Sequence, residues 1–275
     1  MFGGISLENK YLSISDFSRL SSVSRKALIY YDRIGLFKPD FVKENGYRYY
    51  SHHQIETITV INTLSGSGMS LEQIKEFLKD CEPQKALNTF KKQELIVQDK
   101  IKKLQAIQEM IDMRIQLICE ALNADETIKI EKTEEKPFYT SPPFHYHTKN
   151  IPEDIWIDFY NTCEEHNISF GYPICYVINK EDLCSHQFQM ISQIGIRLKD
   201  SQKANYKIPA ATYLVGYGYT HYGDTEQIYE KLYHYINENH LEVIGNTYEE
   251  YLLDELTTSQ SDQYKIKVSI QIKES

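Results

Sequence analysis

The feature that most constrains this chain is the segment between Pro83 and Leu122, which contains no glycine and no internal proline. Apolar side chains recur along it every three or four residues, and Glu94 and Gln108 interrupt the row. A helix of about 40 residues with one narrow apolar row is not stable alone in water. We therefore predict a long helix that packs its apolar row against a partner. The row consists of Leu87, Phe90, Val97, Ile101, Leu104, Ile111, Ile115, Ile118 and Leu122.

The segments of the chain before and after this predicted helix differ in composition. The chain has 275 residues and a formal net charge of -9, but residues 121–275 hold 13 Lys and Arg against 24 Asp and Glu. Tyrosine is skewed in the same way, with 16 of 22 following Lys136. This length exceeds that of a usual single domain. We expect three parts with boundaries at 1–80, 81–124 and 125–275.

Two short helices with a tight connection are predicted within residues 11–36. Ser13 or Ser15 is suited to cap the first helix, and Ser24 to begin the second, because serine side chains accept hydrogen bonds from free amides at helix starts. Gly35 is suited to end the second helix, since glycine readily adopts the left-handed conformation common there. The pattern indicates a helix-turn-helix.

A surface for nucleic acid is predicted on the second helix and on a hairpin that follows it. Asn45-Gly46 between extended residues is a typical hairpin turn. Cations bind phosphates and guanine edges, and aromatic rings contact thymine methyl groups. The alternative is an ordinary solvated, charged face. The candidate DNA-binding residues are Ser24, Arg25, Lys26, Tyr30, Arg33, Lys43, Tyr47, Arg48 and Tyr49.

The N-terminal residues carry a family resemblance. The runs SRKALIYYDRIGL at 24–36 and NGYRYY at 45–50 closely resemble the winged helix-turn-helix of MerR-type transcription regulators, and the match extends over about residues 11–80. One departure is Ile29, where relatives commonly have arginine. The resemblance implies an antiparallel coiled-coil homodimer that binds double-stranded promoter DNA and acts on RNA polymerase through the promoter.

The C-terminal part is predicted to repeat the order strand, helix, strand, strand, with a hinge at the charged residues 131–136. The predicted segments are 138–148, 152–167, 170–178 and 188–198, then 211–219, 224–239, 241–253 and 264–272. This order resembles the GyrI-like effector-binding domain of the multidrug-responsive branch of the MerR family. The predicted fold class is therefore multidomain: an all-α winged helix-turn-helix, a long dimerising coiled-coil helix and a duplicated α+β effector domain.

A ligand pocket is predicted around Glu249, which the resemblance matches to an acidic residue in the drug pocket; Glu250 takes this role if the strand register differs by one. Aromatic faces attract cations, and a buried carboxylate supplies a counter-charge. For each tyrosine the alternative is an ordinary core or surface position. Beside Glu249, the candidate ligand-binding residues are Trp156, Tyr172, Tyr176, Tyr213, Tyr217, Tyr219, Tyr248 and Tyr251.

The predicted function is a ligand-responsive regulator that activates a promoter by distorting its DNA when an aromatic or lipophilic cationic compound is bound. One alternative is a hydrolase with Glu249 as general base and a tyrosine as acid. Another is a metal sensor that uses the thiols of Cys81 and Cys119. We expect no cofactor, no catalytic residue, no metal at the His145 and His147 pair, and no membrane partner. The expected location is the cytoplasm.

Overall fold

The computed structural model describes residues 11–79, 82–168, 171–199, 201–221 and 223–273. The chain divides into two compact units, Met1–Ile101 and Lys102–Ser275. The division lies inside the long helix, so the three-part boundaries at 1–80, 81–124 and 125–275 remain a prediction. Among the described helices, none combines the length and apolar character that crossing a membrane requires.

In the described part of the N-terminal unit, four helices precede the long one, together with a small antiparallel sheet. The elements are β1 (Tyr11–Ser13), α1 (Ile14–Ser21), α2 (Arg25–Arg33), β2 (Phe41–Val42), β3 (Arg48–Ser51), α3 (Gln54–Gly66) and α4 (Leu71–Lys79). The sheet order is β1-β3-β2. The prediction of an all-α N-terminal part is therefore wrong, because β3 pairs with both β1 and β2.

The helix ends of this unit follow from single residues. The hydroxyl of Ser13 accepts a hydrogen bond from Asp16 N at the start of α1, and that of Ser24 accepts one from Ala27 N at the start of α2. Gly35 has φ +68° after α2, and Gly46 has φ +83° in the turn between β2 and β3. Such positive φ values suit glycine, which has no Cβ to clash.

Three stacked aromatic rings form the centre of the N-terminal core. The ring of Phe17 in α1 lies 4.4 Å from that of Tyr50 in β3, and the ring of Phe37 lies 5.8 Å from that of Tyr50. Leu28 and Ile58 are fully buried in the same cluster. Because the rings come from a helix, a loop and a strand, this stack fixes β3 against α1.

The long helix α5 spans Pro83–Asn123, which is 41 residues, and it belongs to both units. It confirms the helix predicted from the apolar row. Some of its apolar side chains are buried within the chain, a larger set is exposed, and Val97, Met110 and Ile118 are half-buried. The buried ones are Ala106, Met113, Leu117 and Ala121. The exposed ones include Leu87, Phe90, Leu95, Ile101, Leu104, Ile107, Ile111, Ile115 and Leu122.

The C-terminal unit is built around an eight-stranded antiparallel sheet with the order β10-β5-β9-β7-β12-β13-β11-β4. Two further short strands, β6 and β8, pair with each other. The elements are β4 (Lys129–Thr133), β5 (Lys136–Thr140), β6 (Tyr146–His147), α6 (Glu153–Glu165), β7 (Ile174–Ile178), α7 (Lys180–Cys184), β8 (Met190–Ile191), β9 (Gln193–Arg197), β10 (Tyr206–Ile208), β11 (Ala211–Thr220), α8 (Glu226–Glu238), β12 (Val243–Tyr251) and β13 (Tyr264–Ile272).

Two predictions for this unit are wrong. The expected hinge at 131–136 is occupied by β4, which pairs with β11, and by the start of β5. The strand expected at 138–148 ends at Thr140, before Pro142 and Pro143. Regular structure begins again only at the short strand β6. Proline lacks the amide that a strand ladder needs, which explains the break.

The large sheet has two different faces. Helix α8 packs on one face, where a Cβ at Gly218 would lie 2.7 Å from Ile228 Cδ1 and a Cβ at Gly216 would lie 2.9 Å from Leu232 Cδ2. The other face carries a separate cluster that includes Tyr213 and Tyr248. Since successive strand residues point to opposite faces, neighbours in sequence on β12 belong to different environments.

Candidate functional sites

The predicted DNA-binding residues lie on α2 and on the hairpin of β2 and β3. Seven of the nine are exposed; Arg48 and Tyr49 are half-buried. The hydroxyl of Ser24 is already used as the cap of α2. Arg33 lies 5.2 Å from the ring centroid of Tyr30 one turn earlier on the same helix. The exposed face of α2 therefore combines cations with an aromatic ring.

The hairpin is held to α2 by one ion pair. Arg48 Nε donates to Asp32 Oδ2 over 2.8 Å, and both side chains are mostly buried. Within the hairpin, the ring of Tyr49 stacks on that of Phe41 at 5.0 Å, and Lys43 Nζ lies 4.6 Å from the Tyr49 centroid. Sequence reasoning placed Arg48 at the DNA surface and missed its partner on α2.

Glu249 on β12 faces helix α8 and is only 2% exposed. The hydroxyl of Tyr229 in α8 donates to Glu249 Oε2 over 3.2 Å, and the hydroxyls of Tyr251 and Thr225 also hydrogen-bond to the carboxylate. Burial raises the pKa of Glu249 to about 7, although these hydroxyls partly offset the shift by stabilising the charged form. This carboxylate therefore changes charge near neutral pH.

Glu250 points to the opposite face and has cationic partners. Its carboxylate lies 3.3 Å from Arg197 Nη1 and 3.6 Å from Lys136 Nζ. Arg197 also contacts Glu120 of α5 at 3.3 Å, and Lys267 donates to Glu120 over 2.6 Å. These ion pairs hold the pKa of Glu120 below its ordinary value against the effect of burial. Glu250 belongs to a charge-compensated network, whereas Glu249 does not.

The predicted tyrosines are divided between the two faces. Tyr176 and Tyr251 lie in the core on the α8 side, with ring centroids 6.1 Å apart in an edge-to-face arrangement. Tyr213 and Tyr248 lie in the cluster on the opposite face, with Tyr217 packed against it. The structure does not bring all of them to one carboxylate. Two of the predicted cation-binding rings already face lysines of the chain: Lys267 lies over Tyr217 and Lys265 over Tyr219.

A cavity of about 670 Å³ gathers three of the predicted residues: Trp156, Tyr172 and Tyr251. The rest of its lining includes Arg114 of α5, Tyr160 and Asp254. Tyr251 connects the cavity to the buried carboxylate, because the residue is part of the cavity lining and its hydroxyl hydrogen-bonds to Glu249.

Sequence reasoning missed Tyr229, Thr225 and Arg114. Tyr229 lies next to Ile228 on the inward stripe of α8, so its burial was predictable, but its partner was not. Thr225 immediately precedes α8. Arg114 gave no signal, since it lies among the many charged residues of α5.

The two histidines of the HxH pair have different hydrogen-bond partners. His145 Nε2 pairs with Asp182 at 3.0 Å, whereas His147 Nδ1 accepts a hydrogen bond from Lys149 N. Cys119 is exposed, and Cys81 lies outside the described residues. Within the described parts of the chain, no group of three or more His, Cys, Asp or Glu side chains is arranged to hold a metal ion.

Comparison with known proteins assigns the family. The family described as MerR HTH family regulatory protein matches residues 12–81. The Multidrug-efflux transporter 2 regulator of Bacillus subtilis is 33% identical over 272 residues, which are 96% of this chain and 97% of that protein. The chain belongs to the MerR family of transcription regulators.

A second MerR relative also matches along its whole length. The Multidrug-efflux transporter 1 regulator of Bacillus subtilis is 27% identical over 285 residues, covering 98% of this chain and 100% of that protein. Among solved structures, the EcmrR–DNA complex in EcmrR-RPo covers 96% of this chain and 100% of its own, with 18% identity and a TM-score of 0.40.

Proposed function

We propose that this MerR protein is a transcription activator that responds to aromatic or lipophilic cations bound in its C-terminal unit. It binds promoter DNA as a homodimer and, when the ligand is bound, distorts the DNA so that RNA polymerase can use the promoter. The names of the two full-length relatives, both regulators of multidrug-efflux transporters, support this class of ligand.

The observation that carries the proposal is the environment of Glu249. Within the described part of the chain its partners are hydroxyl groups, whereas the adjacent Glu250 is compensated by Arg197 and Lys136. A buried carboxylate without a cation is costly, and a bound cation removes that cost. Of the two adjacent carboxylates, we therefore assign ligand binding to Glu249.

The cavity next to Tyr251 suits the aromatic part of such a ligand. The rings of Trp156 and Tyr160 are stacked at 6.2 Å, and Tyr172 and Tyr251 add two more aromatic walls. An aromatic ring attracts a cation by about 0.5–2 kcal/mol, with the larger values where water is excluded. In this proposal the cation displaces a tyrosine hydroxyl as the partner of Glu249, and the ligand's rings occupy the cavity.

For DNA binding, we propose that α2 is the recognition helix of a winged helix-turn-helix and that the β2–β3 hairpin is its wing. The exposed cations Arg25, Lys26 and Arg33 on α2 and Lys43 on the hairpin support this role. The exposed apolar residues of α5 support a coiled-coil homodimer, whose two recognition helices suit a pseudo-palindromic site. Since its target is the promoter, we place the protein in the cytoplasm.

We also propose that the C-terminal unit is an internal duplication of the GyrI-like type. The centre of the sheet lies between β7 and β12, and the order β7, β9, β5 on one side of it matches the order β12, β13, β11 on the other. The corresponding strands are therefore β7 and β12, β9 and β13, and β5 and β11. Each half also contributes one helix, α6 or α8, between its first two strands. This order supports two copies of one strand-helix-strand-strand unit.

The test is a fluorescence titration of the full-length protein with a methyltriphenylphosphonium cation and with neutral triphenylphosphine oxide, using Trp156 as a reporter. We expect saturable binding of the cation. Glu249→Gln should weaken cation binding at least tenfold and affect the neutral compound less than twofold, because it removes charge with little change in volume. Glu230→Gln, at an exposed position of α8, is the matched control and should change neither. Equal losses for both compounds in Glu249→Gln would refute the assignment.

One observation favours a catalytic alternative: a carboxylate with a pKa of about 7 beside Tyr229 suits a general base. We nevertheless propose a binding role, because the full-length relatives are regulators by name. A hydrolysable ester of the ligand, incubated with stoichiometric protein, should be recovered intact. For the thiol sensor, replacing Cys81 and Cys119 together with serine should leave the response to the cation unchanged.

A further inference from the structure

The part of α5 in the C-terminal unit is attached to the cavity wall by one arginine. Arg114 Nη1 donates to Asp254 Oδ1 over 3.1 Å and Nη2 donates to Asp254 Oδ2 over 3.0 Å. Its Nε donates to the carbonyl oxygen of Gly171. The side chains of Arg114 and Asp254 are only 16% and 10% exposed, so solvent screens this pair weakly. We call these three contacts the Arg114 clasp.

The geometry of the clasp requires a guanidinium group. Two parallel hydrogen bonds to one carboxylate and a third to a carbonyl use the planar, forked donors of arginine. Lysine carries the same charge as a single point and cannot make the paired contacts. The clasp is therefore sensitive to the position of both acceptors.

Both acceptors belong to segments that form the cavity. Gly171 precedes Tyr172, whose ring lines the cavity, and Asp254 lies three residues after Tyr251. The carboxylate of Asp254 also accepts a hydrogen bond from Leu256 N at 3.2 Å, which fixes the turn after β12. One side chain of α5 thus holds the two walls that carry Tyr172 and Tyr251.

The clasp itself lines the cavity, since Arg114 and Asp254 are both part of its surface together with the exposed Glu255. In the proposed binding mode the cation displaces a tyrosine hydroxyl from Glu249, and Tyr251 lies three residues before Asp254 on the same segment. A movement of Tyr251 therefore shifts the turn that presents Asp254 to Arg114.

We propose that Arg114 is the positioning residue through which occupancy of the cavity reaches α5. This inference rests on the proposed function and adds its route of regulation: ligand binding opens the clasp and removes one of the contacts of α5 with the C-terminal unit, while the ion pairs of Glu120 remain. Because α5 continues without a break from Asn123 to Pro83, a change at its C-terminal half is transmitted along the helix. Linkage requires reciprocity, so a protein without the clasp should bind the cation more tightly.

The test compares full-length wild type, Arg114→Gln and Arg114→Lys by titration with the methyltriphenylphosphonium cation and by transcription from the protein's promoter with and without it. We expect Arg114→Gln to bind the cation three- to tenfold more tightly and to show high transcription without ligand, with the induction ratio falling below twofold. Arg114→Lys should lie between, because it keeps the charge and loses the paired contacts. The control is Lys199→Gln, which removes the exposed 3.2 Å ion pair between Lys199 and Asp112 of α5. The cation affinity and the transcription of this variant should stay at wild-type values.

Hydrogen exchange of the ligand-free proteins gives a readout that needs no ligand. Amides of residues 106–123 should exchange at least threefold faster in Arg114→Gln than in wild type or in Lys199→Gln. A wild-type protein that binds no cation counts against the proposed function and, with it, this inference. Wild-type binding together with an unchanged induction ratio and unchanged exchange in Arg114→Gln overturns the inference alone.

Discussion

Arg48 and Asp32 join the hairpin to helix α2 through one 2.8 Å hydrogen-bonded ion pair, although they are separated by 16 residues. The hairpin is also held by the pairing of β3 with β1 and by the ring of Tyr50 in the N-terminal core. The ion pair adds a direct link between the two elements of the proposed DNA surface. Arg48 can both hold the hairpin and contact a phosphate, and these two roles have different experimental signatures.

Replacing Arg48 with alanine should weaken promoter binding across DNA sequences and lower the salt slope by about 1 for each copy of the chain, since one phosphate contact is lost. Asp32→Asn breaks the same ion pair but keeps the cation, so its salt slope should stay at the wild-type value. The affinity of each variant for promoter DNA, measured between about 50 and about 200 mM salt, distinguishes the two roles of Arg48. If both variants lose affinity with an unchanged slope, Arg48 acts only by positioning the hairpin.

Cation affinity should depend on pH through Glu249. The charged form binds the cation, and the pKa of about 7 means that this form is half populated near neutral pH in the ligand-free protein. The affinity should therefore rise up to tenfold per pH unit below pH 7 and level off above about pH 8. Titrations with the cation at pH values from about 5.5 to about 8.5, spaced by about one pH unit, test this. A profile of the same shape in Glu249→Gln would assign the dependence to another group.

The stability of the ligand-free protein should depend on the same carboxylate. Folding raises the pKa of Glu249 from 4.5 to about 7, so the folded state favours the protonated form. This contribution is fully present below about pH 4.5 and is lost as pH rises through 7, at a cost of about 3 kcal/mol at most. Relative to Glu249→Gln, wild type should lose that much free energy of unfolding over this range in urea denaturation. The difference in the free energy of unfolding between wild type and Glu230→Gln should stay constant over the same pH range.

Tyr50→Phe should leave the N-terminal unit as stable as before or more stable by about 1 kcal/mol. The hydroxyl of Tyr50 is buried and has no hydrogen-bond partner among the described residues, while its ring packs against those of Phe17 and Phe37. The variant keeps the ring and removes the unsatisfied group. Thermal unfolding measures the change, and Tyr47→Phe on the exposed part of the hairpin is the control. A loss of more than about 1 kcal/mol would show that the hydroxyl has a partner in solution.

Elements of this chain that depend on neighbouring residues are predictable from the sequence, and those that depend on distant partners are not. Helix α2 begins after Ser24 and ends before Gly35 as predicted, because a cap and a left-handed glycine act within a few residues. Strand β4, in contrast, overlaps the segment for which the charged residues 131–136 predict a hinge. Its sequence, KIEKT, is charged, and it is a strand because β11, some 80 residues later, supplies the hydrogen bonds.

In the candidate ligand site, too, short-range features are predictable from the sequence and long-range contacts are not. Glu249 and Tyr251 were correctly placed on one strand near the end of the chain, but the tyrosines were expected to converge and are separated by the sheet. Strand alternation alone gives two possible registers, and sequence spacing does not show which face each neighbouring strand turns toward the ligand. The partners that distinguish the faces, Tyr229 and Arg197, come from α8 and β9.

The sequence by itself determined the elements that short-range chemistry fixes: the capped helices of the N-terminal unit, the Asn45-Gly46 hairpin, the uninterrupted helix α5 and the amphipathic helix α8. Only the tertiary structure decided that Glu249 is buried against hydroxyl groups and Glu250 against cations. It also decided that Arg114 holds two walls of the cavity. The reason is physical: the charge state and partners of a side chain depend on groups that folding brings together from distant parts of the chain, and no local pattern specifies them.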